Sequence, residues 1–292
     1  MLQRWRVRAE TRERERLREA LRGRRLLVTG ASSGIGRAFA LQAAAAGADA
    51  ILVARRGDEL ARVAAECHAL GGTARVRPAD LADPEAVAKL AESVLRDDGP
   101  VDVLVNNAGV SLRRPVVEHG PEQVARLASV NYLGPIALTL ALLPGMLARG
   151  SGHVVHVSTI GTQTGAPNFA AYVAAKAATD HFLRTLRLEL GRHGIAVTTI
   201  HMPLVRTPML APSRIYELFP ALTVERAARR IARAVVERPV RIAPRWSTAL
   251  ELLHAIAPGL VQQVFALGHD PLHGWLWRRL ARRDQRRSGD DR

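Results

Sequence analysis

Leu26-Leu27-Val28-Thr29-Gly30-Ala31-Ser32-Ser33-Gly34-Ile35-Gly36-Arg37 is the stretch on which the fold turns. Its apolar start predicts a strand over Arg24–Thr29, and the residues after Gly36 predict a helix through Ala46. Between them, Gly30, Gly34 and Gly36 allow a tight turn that side chains would obstruct. In isolation such glycines signal no more than a flexible loop. Set between a strand and a helix, they let phosphate oxygens approach backbone N–H groups at the helix's positive end, which is a dinucleotide signal.

Outward from that turn the alternation continues. Strands are predicted at Ala50–Ala54, Thr73–Arg77, Val101–Val105, Gly152–Ser158 and Ile195–His201, with a short one near Val240–Ile242. Helices are predicted at Asp58–Leu70, Pro84–Arg96, around Asn131, from Tyr172 to Leu190, and at Val224–Val236. No repeat or Gly/Ser linker interrupts the series. The economical architecture is α/β: one doubly wound, Rossmann-like parallel sheet covered on both faces, in a single domain with a C-terminal helical extension. The division expected is a basic N-terminal helix or tail at 1–23, a dinucleotide-binding domain at 24–245, and an apolar then Arg-rich extension at 246–292. Asn106-Asn107-Ala108-Gly109 falls at a strand's C-terminal end, the edge where such sheets bind ligands.

The second strand ends at Arg55-Arg56, about twenty residues past the glycines. An acid there would suit the ribose 2′-hydroxyl of NAD. Arg55 instead suits a 2′-phosphate, which favours NADP over NAD; a plain surface arginine in an Arg-rich chain is the alternative.

Composition bounds the function classes. A chain of 292 residues with 48% hydrophobic content can bury a sizeable core. One cysteine, Cys67, precludes an internal disulfide and fits a reducing compartment such as the cytoplasm; its helical setting reads as core. The formal charge of +15 sits mostly in the tails, with ten Arg against four Glu in residues 1–25 and seven Arg against three Asp in 276–292. Nucleic-acid binding needs a basic folded surface, so none is expected. Solvated tails are the plain reading of that charge, and attraction to anionic lipid the livelier one. Residues 1–22 read as an exposed helix of alternating Arg and Glu with little apolar face, and no secretory leader or metal site is expected. Two uncharged runs, Leu127–Ala148 and Leu252–Leu267, would attract a hydropathy scan. The first reads as a buried helix, and the second is short of a span and broken at Pro258-Gly259.

Chemistry enters with Tyr172-Val-Ala-Ala-Lys176. Residues four apart on a helix share a face, so an ammonium can sit near a phenol and lower its pKa from about 10 toward neutrality. Such a phenol can exchange a proton in general acid–base catalysis. Of 42 basic residues only Lys89 and Lys176 are lysines, so a point charge is kept where a planar fork would differ.

Taken in order, Thr29–Gly36, Asp80, Asn106–Gly109, Asn131, Ser158-Thr159, Tyr172–Lys176 and Pro203–Thr207 resemble the short-chain dehydrogenase/reductase family over residues 24–245. The resemblance implies hydride transfer between NADP(H) and an alcohol or ketone. It makes Tyr172 the general acid or base and Lys176 its modulator and ribose partner. Asn131 would hold a water of a proton relay. Gly30, Gly34 and Gly36 would shape the pyrophosphate turn, lined by Ser32 and Ile35. Arg55 would meet the 2′-phosphate, Asp80 and Leu81 the adenine, Asn107, Ala108 and Gly109 the ribose side, and Thr207 the carboxamide. Two positions depart from the pattern. Thr159 stands where the substrate-polarising serine is usual, with Ser158 in reserve, and Leu204 replaces a glycine. A fold that kept its binding role and lost its chemistry is the alternative these departures leave.

Met209–Ala221, with Ile215, Tyr216, Leu218 and Phe219, reads as an apolar lid suited to an apolar or lipid-like substrate. Beyond Pro244, Trp246, Leu252, Leu253, Ile256, Leu260, Val264, Trp275 and Trp277 make an apolar extension with three candidate partners: its own substrate pocket, a second subunit of a homo-oligomer, or a membrane surface.

Overall fold

In the computed structural model, which describes residues 2–207, 209 and 220–267 with side chains from Thr11 onward, seven strands form one sheet. They are β1 (Arg25–Thr29), β2 (Asp49–Ala54), β3 (Thr73–Pro78), β4 (Val103–Asn106), β5 (Gly152–Thr159), β6 (Ile195–Met202) and β7 (Arg241–Ile242). Their order is β3-β2-β1-β4-β5-β6-β7, every pair parallel. β1 and β4 are neighbours in space although two strands separate them in sequence, so the chain reverses its winding there.

The helices follow as α1 (Leu2–Leu21), α2 (Gly34–Ala45), α3 (Gly57–Ala69), α4 (Pro84–Ser93), α5 (Pro121–Ala128), α6 (Gly134–Ala148), α7 (Gly161–Thr164), α8 (Ala170–Leu190) and α9 (Val224–Glu237). One core joins α2, α3 and α9 to one face of the sheet, with Phe39, Leu60 and Ile231 at its centre. The other joins α4, α6 and α8, through Leu90, Leu142 and Leu183. Covering both faces is why the central strands read as unbroken apolar runs, such as Val103-Leu104-Val105.

α1 departs from expectation. Leu17 and Leu21, one helical turn apart, are 6% and 0% exposed and join the first core. The Arg/Glu pattern hid this short apolar seam. Cys67 is buried beside the Ala40 carbonyl, and burial pushes its thiol up to about 11, as suits a core residue.

α5 and α6 are joined through a π-helical turn, Ser129–Leu133, which carries Asn131. Among the described residues this continuous helix, Pro121–Ala148, is long and apolar enough to cross a membrane, and 56% of its most apolar stretch is buried in the protein.

The chain divides between Pro244 and Arg245. The second unit contains α10 (Arg245–Ile256) and α11 (Pro258–Leu267), bent by 119° at the break. Trp246, Leu252, Ile256, Leu260 and Val264 are exposed there. The lid residues Ile215, Tyr216, Leu218 and Phe219, together with Trp275 and Trp277, lie outside the described residues.

Candidate active site

The winding reverses between β1 and β4, and in doubly wound sheets the ligand crevice lies at the strands' C-terminal edge at such a point. Two turns meet there. Thr29, fully buried, accepts from the Asn107 and Ala108 N–H groups at its Oγ1, each at 3.0 Å, and donates to Val105 O at 3.2 Å. The Asn107 amide donates to Thr29 O at 2.9 Å. Asn107 therefore braces the glycine turn with its side chain.

The glycines are demanded by space as well as conformation. Gly30 and Gly34 have φ of +69° and +55°, in the left-handed region. A Cβ on Gly30 would lie 2.9 Å from Ala108 Cα, and one on Gly36 would collide with the Gly30 carbonyl oxygen. The first turn of α2 carries no acidic residue, so its N–H groups face the crevice with no competing anion from the helix itself. This cradle fits a dinucleotide's phosphates. Thr207 approaches the turn from above; a Cβ on Gly34 would meet its Cγ2 at 3.4 Å. Ile35 packs on the first core, and Ser32 stays partly exposed.

The end of β2 offers more than the sequence reading named. Arg55 is exposed, and its charge reaches Asp80. Arg56, passed over, puts its guanidinium on the glycine turn, donating to Ser32 Oγ at 3.3 Å and Ser33 Oγ at 3.5 Å. The adjacent Arg55-Arg56 pair was visible in sequence; which one would face the turn was not. Asp80 accepts from Ala82 N at 3.0 Å and Arg126 Nη2 at 2.9 Å. Burial alone would raise its carboxyl, but those two donors and Arg55 hold it below the ordinary value. Leu81 turns its side chain into the second core.

On the far side of the crevice, Gly109, Asn131 and Lys176 converge. A Cβ on Gly109 would lie 2.8 Å from Asn131 Oδ1 and 3.5 Å from Lys176 Nζ. Asn131 is fully buried; its amide donates to Val110 O and Leu127 O, at 2.8 and 2.9 Å, and accepts from Val110 N at 3.2 Å. It thus clamps the loop after β4 to the π-helical turn. Lys176 Nζ donates to Val157 O at 2.9 Å and is buried.

Tyr172 lies one turn before Lys176 on α8, with the Phe169 ring edge-on at 6.3 Å. Its electrostatics run opposite to expectation. Burial, with the charge of Asp180 adding to it, pushes the phenol up to about 12. Lys176 is pushed down to about 8 by burial against the pull of Asp180. In each case the group's own desolvation is the largest cause of the shift.

Of the two hydroxyls at the end of β5, Ser158 is corrected out of the substrate position. It is 3% exposed and donates to Asp180 Oδ2 at 2.8 Å. Thr159, one residue on, is partly exposed and accepts from Gly161 N at 3.2 Å. A Cβ on Gly161 would lie 3.1 Å from Val173 and 3.6 Å from Thr159, so glycine there lets this strand end approach the start of α8. Leu204 is held by pairing with Leu222, whose N–H donates to its carbonyl at 2.8 Å.

Known proteins resemble this chain over most of its length. A model of the short chain dehydrogenase family matches residues 24–217. A protein of Acinetobacter baylyi named fatty acyl-CoA reductase is 43% identical over 253 residues, covering 86% of each chain. Another of that name, from Mycobacterium tuberculosis, is 43% identical over 256 residues and covers 87% of each. The solved short-chain dehydrogenase of Sphingobium yanoikuyae in complex with NADPH superposes with a TM-score of 0.73 at 28% identity, over 82% of this chain and 95% of that one. With a glycine crevice at the switch point and relatives matched over most of their length, the chain belongs to the short-chain dehydrogenase/reductase family and is an NAD(P)-dependent oxidoreductase.

Proposed function

We propose that the protein reduces a carbonyl on an apolar, lipid-like substrate with NADPH, and oxidises the corresponding alcohol in the reverse direction. The observation that carries this reading is the buried Lys176 ammonium beside Gly109, one turn from Tyr172, at the crevice built by the glycine turn. When bound, the nicotinamide dinucleotide supplies the hydride. Gly30, Ser32, Gly34, Ile35 and Gly36 take its pyrophosphate with the N-terminus of α2. Arg55 and Arg56 take the 2′-phosphate, which is the support for NADP over NAD. Asp80 and Leu81 border the adenine, Asn107, Ala108 and Gly109 the ribose side, and Thr207 the carboxamide.

Thr159 Oγ1 orients the substrate oxygen, the role Ser158 gives up to Asp180. Tyr172 donates its proton to that oxygen. A phenol pushed up by burial stays protonated at neutral pH, the form that donates to a substrate oxygen. Lys176 fixes the ribose and favours the phenolate left behind; Asn131 braces the loop beside it.

The name of the two relatives points to fatty acyl chains, so long-chain aldehydes and acyl thioesters are the first substrates to try. A stripe of exposed Leu133, Leu140 and Leu147 supports a homo-oligomer, and the exposed apolar residues of α10 and α11 support contact with a cytoplasmic membrane surface. The test is oxidation of NADPH against NADH with a panel of apolar carbonyls, with Tyr172→Phe as control. NADPH binding without turnover of any of them would favour the rival, a binding protein that kept the fold.

A further inference from the structure

The stripe of Tyr172 and Lys176 on α8 continues for one more turn to Asp180, a residue that the proton transfer above leaves unused. Asp180 is 8% exposed, and its Oδ2 accepts the Ser158 hydroxyl at 2.8 Å. His156 Nε2 lies 3.4 Å from its Oδ1, and His201 Nδ1 lies 3.9 Å from its Oδ2. Strand geometry explains the gathering. His156 and Ser158 are two residues apart on β5, and His201 pairs with Ser158 across β5 and β6, so all three project to the face that α8 covers.

Thr162 of α7 lies beside the carboxyl. Its hydroxyl donates to Thr159 O at 2.8 Å and meets His201 Nδ1 at 3.1 Å. The titratable and charged groups around Asp180 are therefore His156 from β5, His201 from β6, and Tyr172 and Lys176 from its own helix, with Ser158 as a neutral donor and Thr162 a neutral neighbour. Burial keeps His156 neutral. Burial pushes the Asp180 carboxyl up, opposed by His201, Ser158 and Lys176, so the carboxylate and the ammonium favour each other's charge. The Lys176 hydrogen bond goes to the neutral Val157 carbonyl.

We propose that Asp180 is a positioning residue of this active site: it holds Lys176 as an ammonium and ties the strand end carrying Thr159 to the helix carrying Tyr172. The inference rests on the reading of Tyr172 and Lys176 given above. It follows that removing the carboxylate leaves burial unopposed, and Lys176 loses its proton at lower pH.

The chain's composition makes a direct test available. Protein labelled with carbon-13 at the lysine side chains has two such residues, and Lys89 is exposed, a built-in reference. In the wild-type chain the buried lysine should titrate at about 8. In Asp180→Asn its midpoint should fall by about one pH unit or more while Lys89 stays put. Asp180→Leu, apolar and of similar bulk, should do the same without burying an amide. The alkaline limb of NADPH-dependent reduction should move with it, a shift that a merely structural role would not produce. An unmoved Lys176 midpoint in either folded variant overturns the proposal, and so does loss of fold in both. Should no hydride transfer be found in any assay, the proposed activity fails, while the titration of the cofactor-free protein still decides the role of Asp180.

Discussion

The two banks of the crevice are made in opposite ways. The glycine turn after β1 is built from what is missing: no Cβ at Gly30 or Gly36, no acid in the first turn of α2, and backbone groups braced by Thr29 and Asn107. The bank formed by β5, β6 and α8 is built from buried polar side chains, with Lys176, Asp180, His156 and His201 packed out of water. The first bank offers shape and fixed dipoles, from groups that carry no titrating proton. In the second, burial works against the charges of Lys176 and Asp180, and neighbouring groups oppose it.

Tyr172→Phe cuts hardest into that contrast. It keeps the ring against Phe169 and removes the proton, so kcat should fall by about 10²- to 10⁴-fold with NADPH affinity little changed. Steady-state kinetics beside a binding titration check this, and retained turnover would put the proton source outside the second bank. On the first bank, Arg56→Ala should weaken NADPH and spare NADH. Hydrogen bonds to a charged group are worth about 1.5–3 kcal/mol, hence roughly ten- to a hundredfold in affinity. Equal loss for both dinucleotides would remove Arg56 from the 2′-phosphate, and Arg55→Ala run in parallel shows which arginine carries it.

Smaller effects sharpen the comparison. Gly36→Ala drives a methyl against the Gly30 carbonyl, and overpacking of this kind costs about 1–3 kcal/mol. Urea unfolding should record that loss at every pH, since no titrating group takes part. The opposite holds along β5. His153 is buried and held down at about 3, first by burial and then by the charge of Arg238. Its folded value lies below the ordinary 6.5, so the unfolded chain binds the proton first. Stability is therefore full above 6.5 and declines as pH falls from there toward about 3, with His156 acting in the same direction. One such histidine contributes at most about 1.4 kcal/mol per pH unit. His153→Gln should flatten the decline in urea titrations across that window, and an unchanged slope would mean His153 carries none of it.

The same contrast separates what could be read in the sequence from what could not. Strand and helix alternation, the glycine turn and the Tyr172–Lys176 pair are local patterns of period two or about 3.6, written within a few residues. They led to the right sheet. The direction of the Tyr172 shift was misjudged because proximity to an ammonium is visible in spacing while desolvation is a property of the packed interior. Ser158 against Thr159 depended on Asp180, twenty-two residues away, and Arg56 against Arg55 on where one side chain swings. Leu17 and Leu21 were legible as an apolar pair one turn apart, but the surrounding charge masked them.

The π-helical turn at Ser129–Leu133 carries a consequence for how the chain tolerates indels. It holds one residue more than a regular helix needs, and that surplus sets the phase of everything after it. Deleting a single residue there would tidy the hydrogen-bond ladder while rotating α6 by about 100°, swinging Ile136, Leu142 and Met146 off the sheet. Local regularity and global fit pull against each other at this point, and the π-helical solution is the one that keeps Asn131 beside Gly109.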